Sequence, residues 1–99
     1  MTEKTFAEVR AEDRRLSLLL ILAESEGYEA NAYLLQQLLE VYGHSCSIDR
    51  VRGDLAWLEE QTLVSVSSPG DVAIGRATAR GLDCAKGRAE VPGVKRPAP

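Results

Sequence analysis

The chain has few of the residue types that build metal sites and catalytic centres. Its 99 residues include one histidine, His44, and two cysteines, Cys46 and Cys84, which form no CxxC pair. Metal sensors gather more ligands at closer spacing. We therefore expect no metal, no cofactor and two small, buried or half-buried cysteines without a disulfide. Cys46 and His44 are close in a tight turn, where side chains rarely face each other, so we do not expect them to form a nucleophilic pair. We expect His44 to bond to the backbone. The protein is therefore predicted not to be an enzyme.

The sequence also lacks a long apolar run. The longest one, from Leu18 to Ala23, is far too short to cross a bilayer. Residues 1–15 mix both charge signs without the apolar centre of a signal peptide. We expect no membrane partner and a soluble cytoplasmic protein. The length suits a single domain, which we place over residues 1–90, followed by a proline-rich basic tail over residues 91–99.

Positive charge is scarce where a DNA-binding protein would use it. The net charge is −3. Residues 16–46 contribute −4 and residues 47–61 contribute −2, whereas residues 78–99 contribute +3. A free-standing DNA-binding domain usually has a basic stripe across its recognition surface. The charge distribution therefore weighs against strong DNA binding without excluding it.

Apolar residues at helical spacing predict two helices in the first half of the chain. The first runs from about Phe6 to Ser25, and because it is apolar on most sides it should be central or lie in a subunit interface. The second begins at an Asn31 cap and ends at Gly43. Its predicted buried residues are Leu34, Leu35, Leu38, Leu39 and Tyr42.

A third helix leads directly into a β-hairpin. Ser47 is placed to cap this helix, and two β-branched segments, Leu63 to Ser68 and Val72 to Ala77, flank a Pro69-Gly70 turn. The predicted inward residues of the helix are Ile48, Val51, Leu55 and Leu58.

A last short helix should open at Thr78 or Ala79 and run to Ala85 or Lys86. Helix, short turn, helix and hairpin in this order are typical of a winged helix. The predicted fold class is therefore α+β, mainly α: a winged helix-turn-helix with a two-stranded wing and a short C-terminal helix.

The exposed face of the third helix supplies the candidate DNA contacts. Arginine offers a bidentate fork to phosphate or guanine, and a glycine inside a helix permits close approach of another backbone. Our candidates are Ser47, Asp49, Arg50, Arg52, Gly53 and Arg76. The alternative is a solvated face on which Arg50 pairs with Asp54. The tip of the wing carries no lysine or arginine, which weighs against a grip on the minor groove.

A second set of residues suggests contact with protein. An outward Trp57 would be a typical contact residue, and the basic tail could dock on a partner or track phosphates. Our candidates are Trp57, Arg88, Val91, Pro92, Lys95 and Arg96. The alternatives are that Trp57 packs under the wing or against the first helix, and that the tail is solvated.

Two long stretches resemble one family. They are GYEANAYLLQQLLEVYGHSCSIDRVRGDLAWLEEQTLV and TARGLDCAKGRAEVPGVKRPAP, and they resemble small winged-helix proteins of Mu-like phages and prophages, often labelled ArsR-like. The resemblance extends from about Leu18 to Pro99. It implies a winged-helix fold and a phage context among head and DNA-packaging genes, in a bacterial host. The cysteine pair of metal-sensing ArsR repressors is missing, so no metal response is implied.

Together these features favour a DNA-binding protein. We expect a transcriptional regulator or DNA-packaging accessory that contacts double-stranded DNA through Arg50, Arg52 and neighbouring polar residues, with help from the basic tail. A homodimer would form through the apolar first helix, with the C-terminal helix as a second candidate. The alternative is an adaptor to phage packaging or virion proteins that does not bind DNA and uses Trp57, Gly53 and the tail.

Overall fold

A computed structural model describes residues 3–98, so Met1, Thr2 and Pro99 of the predicted domain and tail lie outside it. The described chain is an α+β domain, mainly helical, with four α-helices and one antiparallel sheet. The helices are α1 (Phe6–Glu24), α2 (Ala32–Leu39), α3 (Ile48–Glu60) and α4 (Ala79–Ala85), and the strands are β1 (Glu29–Asn31), β2 (Val64–Ser67) and β3 (Ile74–Ala77). No helix within these residues is long and apolar enough to cross a membrane.

Each helix begins at a polar side chain that accepts a hydrogen bond from a backbone N–H three residues later, which satisfies one of the free donors of the first turn. The predicted caps of α2 and α3 are confirmed: Asn31 accepts from the N–H of Leu34 at 2.9 Å, and Ser47 accepts from that of Arg50 at 3.1 Å. Thr78 caps α4 in the same way.

The sheet has three strands in the order β1-β3-β2, which is one strand more than the predicted two-stranded hairpin. β2 and β3 form that hairpin, and β1 pairs with the other edge of β3, with Ala30 opposite Gly75. From the sequence alone we expect only a short link over Tyr28 to Ala30, because three residues are too few to show an alternating pattern. β1 exists because a distant strand completes its hydrogen bonds.

α1 is the centre of the core, as predicted for a helix that is apolar on most sides. It packs against α2, α4 and β3, and its Leu18, Leu19 and Leu22 are fully buried. α1 therefore buries most of its apolar side chains within one chain.

The predicted buried face of α2 is partly wrong. Leu35 and Leu39 are fully buried, but Leu34 is 42% and Tyr42 is 38% exposed. The helix has eight residues and gives way to a 3₁₀ turn over Glu40–Tyr42. In so short a helix a narrow stripe that includes Leu35 and Leu39 faces the core, so the neighbouring side chains of Leu34 and Tyr42 remain partly exposed.

The C-terminal segment lies back against the domain. Val91 and Val94 are buried in the main core cluster. The backbone N–H of Lys95 donates to the carbonyl of Glu12 on α1 at 3.1 Å. This segment thus contributes to the same core as α1.

Candidate nucleic-acid interface

The exposed face of α3 carries most of the candidate DNA contacts. Val51, Leu55 and Leu58 point into the core. The candidates that share the opposite, exposed face are Ser47, Asp49, Arg50, Arg52 and Gly53. Arg76 lies apart from them on β3, opposite Glu29 on one side and Ser65 on the other.

Two of the four acidic residues of α3 are bound by neighbouring elements. Asp54 is 4% exposed and forms an ion pair with Arg14 of α1, with Arg14 Nη2 donating to Asp54 Oδ1 at 3.1 Å. This hydrogen bond raises the pKa of the Arg14 guanidinium. The predicted alternative pairing of Arg50 with Asp54 is therefore wrong, because the carboxylate faces inward.

Glu59 is the second bound acid: its Oε2 accepts from the backbone N–H of Val66 on β2 at 2.9 Å. The first half of α3 is left with Asp49 against two arginines, Arg50 and Arg52, on its exposed face. The first half of this face therefore has a small net positive charge, although the helix as a whole is acidic.

A third arginine, from α1, joins this face. Arg10 and Arg50 line one surface hollow of about 250 Å³, together with Phe6 and Arg14. Among residues 3–98, neither Arg10 nor Arg50 forms an ion pair with a carboxylate. Two guanidinium groups thus share a solvent-accessible site without internal neutralisation.

Arg52 is fixed by an aromatic neighbour on α2. Its guanidinium carbon lies 5.9 Å from the ring centre of Tyr33, and its Nη2 is 3.4 Å from the Tyr33 hydroxyl. Tyr33 is itself 51% exposed. This contact leaves the charge of Arg52 unneutralised and restricts where the guanidinium can lie.

Gly53 has no internal reason to lack a side chain. A Cβ added there would have nothing within 4 Å. Glycine destabilises a helix interior by about 1 kcal/mol relative to alanine. If the missing Cβ has a function, that function lies outside the chain, where another molecule would approach the helix backbone.

Trp57 does not present a free aromatic surface. The Arg15 guanidinium carbon lies 4.0 Å from its ring centre, and Arg15 Nη1 donates to the carbonyl of Gly93 at 2.9 Å. Gly93 has φ +96°, and a Cβ there would lie 2.6 Å from Trp57. The tail and α1 therefore enclose Trp57 from two sides.

The other tail candidates are divided between core and surface. Val91 is buried, while Arg88 and Pro92 are exposed. Lys95 Nζ lies 3.4 Å from Asp13 Oδ1, and Arg96 pairs with Glu90 at 3.6 Å. These residues do not form one exposed surface with Trp57.

The His44 side chain contacts a carboxylate of α1 and not the backbone, which corrects the expectation from the sequence. His44 Nε2 lies 2.6 Å from Asp13 Oδ2, and the backbone N–H of His44 donates to the carbonyl of Leu39. Burial raises the pKa of both the Cys46 and Cys84 thiols, which disfavours the nucleophilic thiolate. Within residues 3–98, no three His, Cys, Asp or Glu side chains form a cluster that could hold a metal ion.

The residues that sequence reasoning missed are consecutive in α1. Asp13, Arg14 and Arg15 contact the loop before α3, α3 itself and the tail, respectively. The one sequence signal was a charged run entering an apolar helix, which also fits an exposed helix end. The partners, distant in sequence, could not be identified from it.

Two proteins are similar to the chain over most of their lengths. Protein gp26 of Escherichia phage Mu is 47% identical over 92 residues, which cover 93% of this chain and 95% of the phage protein. The chain belongs to the family of phage Mu gp26. An uncharacterized protein of Haemophilus influenzae is 40% identical over 81 residues, covering 81% of this chain and 78% of that protein.

Membership of the gp26 family confirms the predicted relation to Mu-like phages. No family model matches the chain, and no solved structure is significantly similar to it.

Proposed function

We propose that this gp26-family chain is a winged-helix protein that binds double-stranded DNA, as a regulator or DNA-packaging accessory of a Mu-like phage. In this interpretation α2 and α3 form the helix-turn-helix, β2 and β3 form the wing, and β1 completes a small sheet behind it. The element order along the chain supports this assignment.

The observation that carries the proposal is the group of arginines around the start of α3. Arg10, Arg50 and Arg52 have no ion-pair partner among residues 3–98, while Asp54 of the same helix is buried against Arg14. Guanidinium groups bind phosphate through paired N–H donors. The first turn of α3 adds backbone N–H groups and the positive end of the helix dipole.

The expected affinity is modest. Three phosphate contacts are few, the net charge is −3, and the tip of the hairpin around Pro69–Asp71 has no cation. We call the surface formed by Arg10, Arg50 and Arg52 the arginine face. We expect the wing to contribute little and the arginine face to supply most of the binding free energy.

The test is a comparison of two double variants with equal loss of charge. Titration of a short labelled duplex at low salt should show about tenfold weaker binding by Arg50→Ala/Arg52→Ala than by the parent chain. The Lys86→Ala/Arg88→Ala control, which removes two cations at and beyond the end of α4, should bind within about twofold of the parent. Equal loss in both variants, or no duplex binding at low salt, would contradict the proposal.

The adaptor alternative built on Trp57, Gly53 and the tail has less support, because α1 and the tail enclose Trp57. The expected homodimer stays a prediction. Since Leu18, Leu19 and Leu22 of α1 are buried inside one chain, a dimer would have to form mainly through other residues.

A further inference from the structure

One apolar surface remains unexplained by the core and by the arginine face. Leu34, Leu38, Val41 and Tyr42 follow one another at helical spacing along α2 and the 3₁₀ turn after it. Leu34 is 42%, Val41 is 80% and Tyr42 is 38% exposed, and Leu38 is half-buried. Adjacent exposed apolar side chains of this kind mark contact sites more often than isolated ones do.

The surface includes a groove between the ends of two helices. Its volume is about 270 Å³, and it is lined by Ile21, Glu24, Ser25, Leu38, Val41 and Tyr42. We call this hollow, extended by Leu34, the α2 groove. Val41 at its edge is exposed enough that its substitution should not disturb the core.

The rim of the α2 groove is acidic. Glu24 lines it, and Glu26 and Glu40 are exposed next to lining residues. From residue 16 to residue 46 the sequence has no lysine or arginine. None of the three glutamates forms an ion pair within the described chain.

The backbone adds to this negative potential. Neither α1 nor α2 has a basic residue in its last turn, and a helix C-terminus carries a partial negative charge. Two helix ends without a basic side chain therefore lie beside the apolar hollow.

These charges decide between two occupants. A second copy whose two-fold axis passed through the groove would place each glutamate rim against its own counterpart, and such like-charge contacts are unfavourable. In a basic segment with apolar side chains, the apolar side chains could fill the hollow and the basic ones could pair with the glutamates of the rim. We propose that the α2 groove binds a basic amphipathic helix of another protein, with an apolar side chain in the hollow and Lys or Arg beside Glu24 and Glu40.

The groove and the arginine face can be occupied together. Glu24 follows Arg10 by 14 residues on α1, which corresponds to about 21 Å along the helix axis. Peptide binding in the α2 groove therefore does not depend on DNA binding. A negative result for either proposal does not contradict the other.

The test uses a defined probe, a designed amphipathic lysine–leucine peptide, titrated into the isotope-labelled full chain and followed by NMR. We expect shifts at Leu38, Val41 and Tyr42 with the lysine–leucine peptide, and no saturable shifts with a glutamate–leucine peptide of the same pattern. Val41→Ser should weaken binding at least about tenfold, and Glu24→Gln/Glu40→Gln should do the same at low salt.

The matched control is Val9→Ser, which removes the same side chain from a 52% exposed position near the start of α1. It should bind within about twofold of the parent. Equal binding of both peptides, or equal loss in Val9→Ser and Val41→Ser, would overturn the proposal. So would sedimentation showing a parent dimer that Val41→Ser converts to monomer, because a second copy would then be the occupant.

Discussion

At the scale of single residues, the buried ion pair between Arg14 and Asp54 is the most consequential contact. Both side chains are at least nine-tenths buried, and α1 and α3 each supply one charge. Removing one partner leaves an uncompensated buried charge, so Arg14→Ala should lower the free energy of unfolding by about 3–5 kcal/mol. Urea denaturation followed by circular dichroism measures this loss.

The double variant Arg14→Met/Asp54→Leu separates charge from packing. It should recover most of the stability, because well-packed apolar residues can replace a buried pair without loss. Arg50→Ala, which removes an exposed arginine without an ion pair, should change stability by less than about 0.5 kcal/mol. A double variant as unstable as Arg14→Ala would show that the pair has a role beyond charge compensation.

Gly53 gives a second prediction at this scale, because two properties should change in opposite directions. Alanine fits the open space around this position, so Gly53→Ala should stabilise the chain by up to about 1 kcal/mol. If DNA phosphate approaches the helix backbone here, the same variant should bind the duplex more weakly. Unchanged binding with higher stability would remove Gly53 from the proposed interface.

At the scale of elements, local signals predicted most of the fold. Cap residues such as Asn31, Ser47 and Thr78 mark helix starts because their side chains bond to backbone groups a few residues away. β1 was not predictable in this way, because its pairing partner β3 is more than 40 residues distant in sequence. Periodicity predicts a buried Leu34, which is 42% exposed, because it shows an apolar face but not how much of that face a neighbour covers.

The candidate site shows the same division. Arg50 and Arg52 could be predicted because both lie on the exposed face of one helix. Arg10 and Tyr33 come from other helices and reach this face through the tertiary fold. Asp54 points inward and pairs with Arg14, which removes one negative charge from the exposed face. This orientation depends on a residue of another helix and could not be predicted from the sequence either.

The tail is the element whose attachment is simplest to test. Gly93→Ala places a Cβ 2.6 Å from Trp57 at a residue with φ +96°, so it should detach this part of the tail and destabilise the chain by about 1–3 kcal/mol. Trp57 is the sole tryptophan, so its fluorescence emission should shift to the red. Gly53→Ala is the control and should leave the emission of Trp57 unchanged. An unchanged emission in Gly93→Ala would contradict the prediction, because it would show that the tail does not cover Trp57.

At the scale of the whole molecule, the two candidate binding surfaces lie at opposite ends of α1. Arg10 and Arg50, which form no ion pair among residues 3–98, line a hollow near its start, and Glu24 lines the apolar groove at its end. The net charge of −3 does not reveal this arrangement. A small phage protein of this form could hold DNA at one end and a basic protein segment at the other, which suits either regulation or packaging.

The most direct test of the proposed function is the salt dependence of duplex binding. If Arg10, Arg50 and Arg52 each contact a phosphate, a plot of log K against log salt concentration should have a slope of about −3. Arg50→Ala/Arg52→Ala should reduce the slope to about −1, whereas Lys86→Ala/Arg88→Ala should leave it unchanged. A slope near zero for the parent chain, or equal slopes for the parent and the Arg50→Ala/Arg52→Ala variant, would contradict DNA binding by this face.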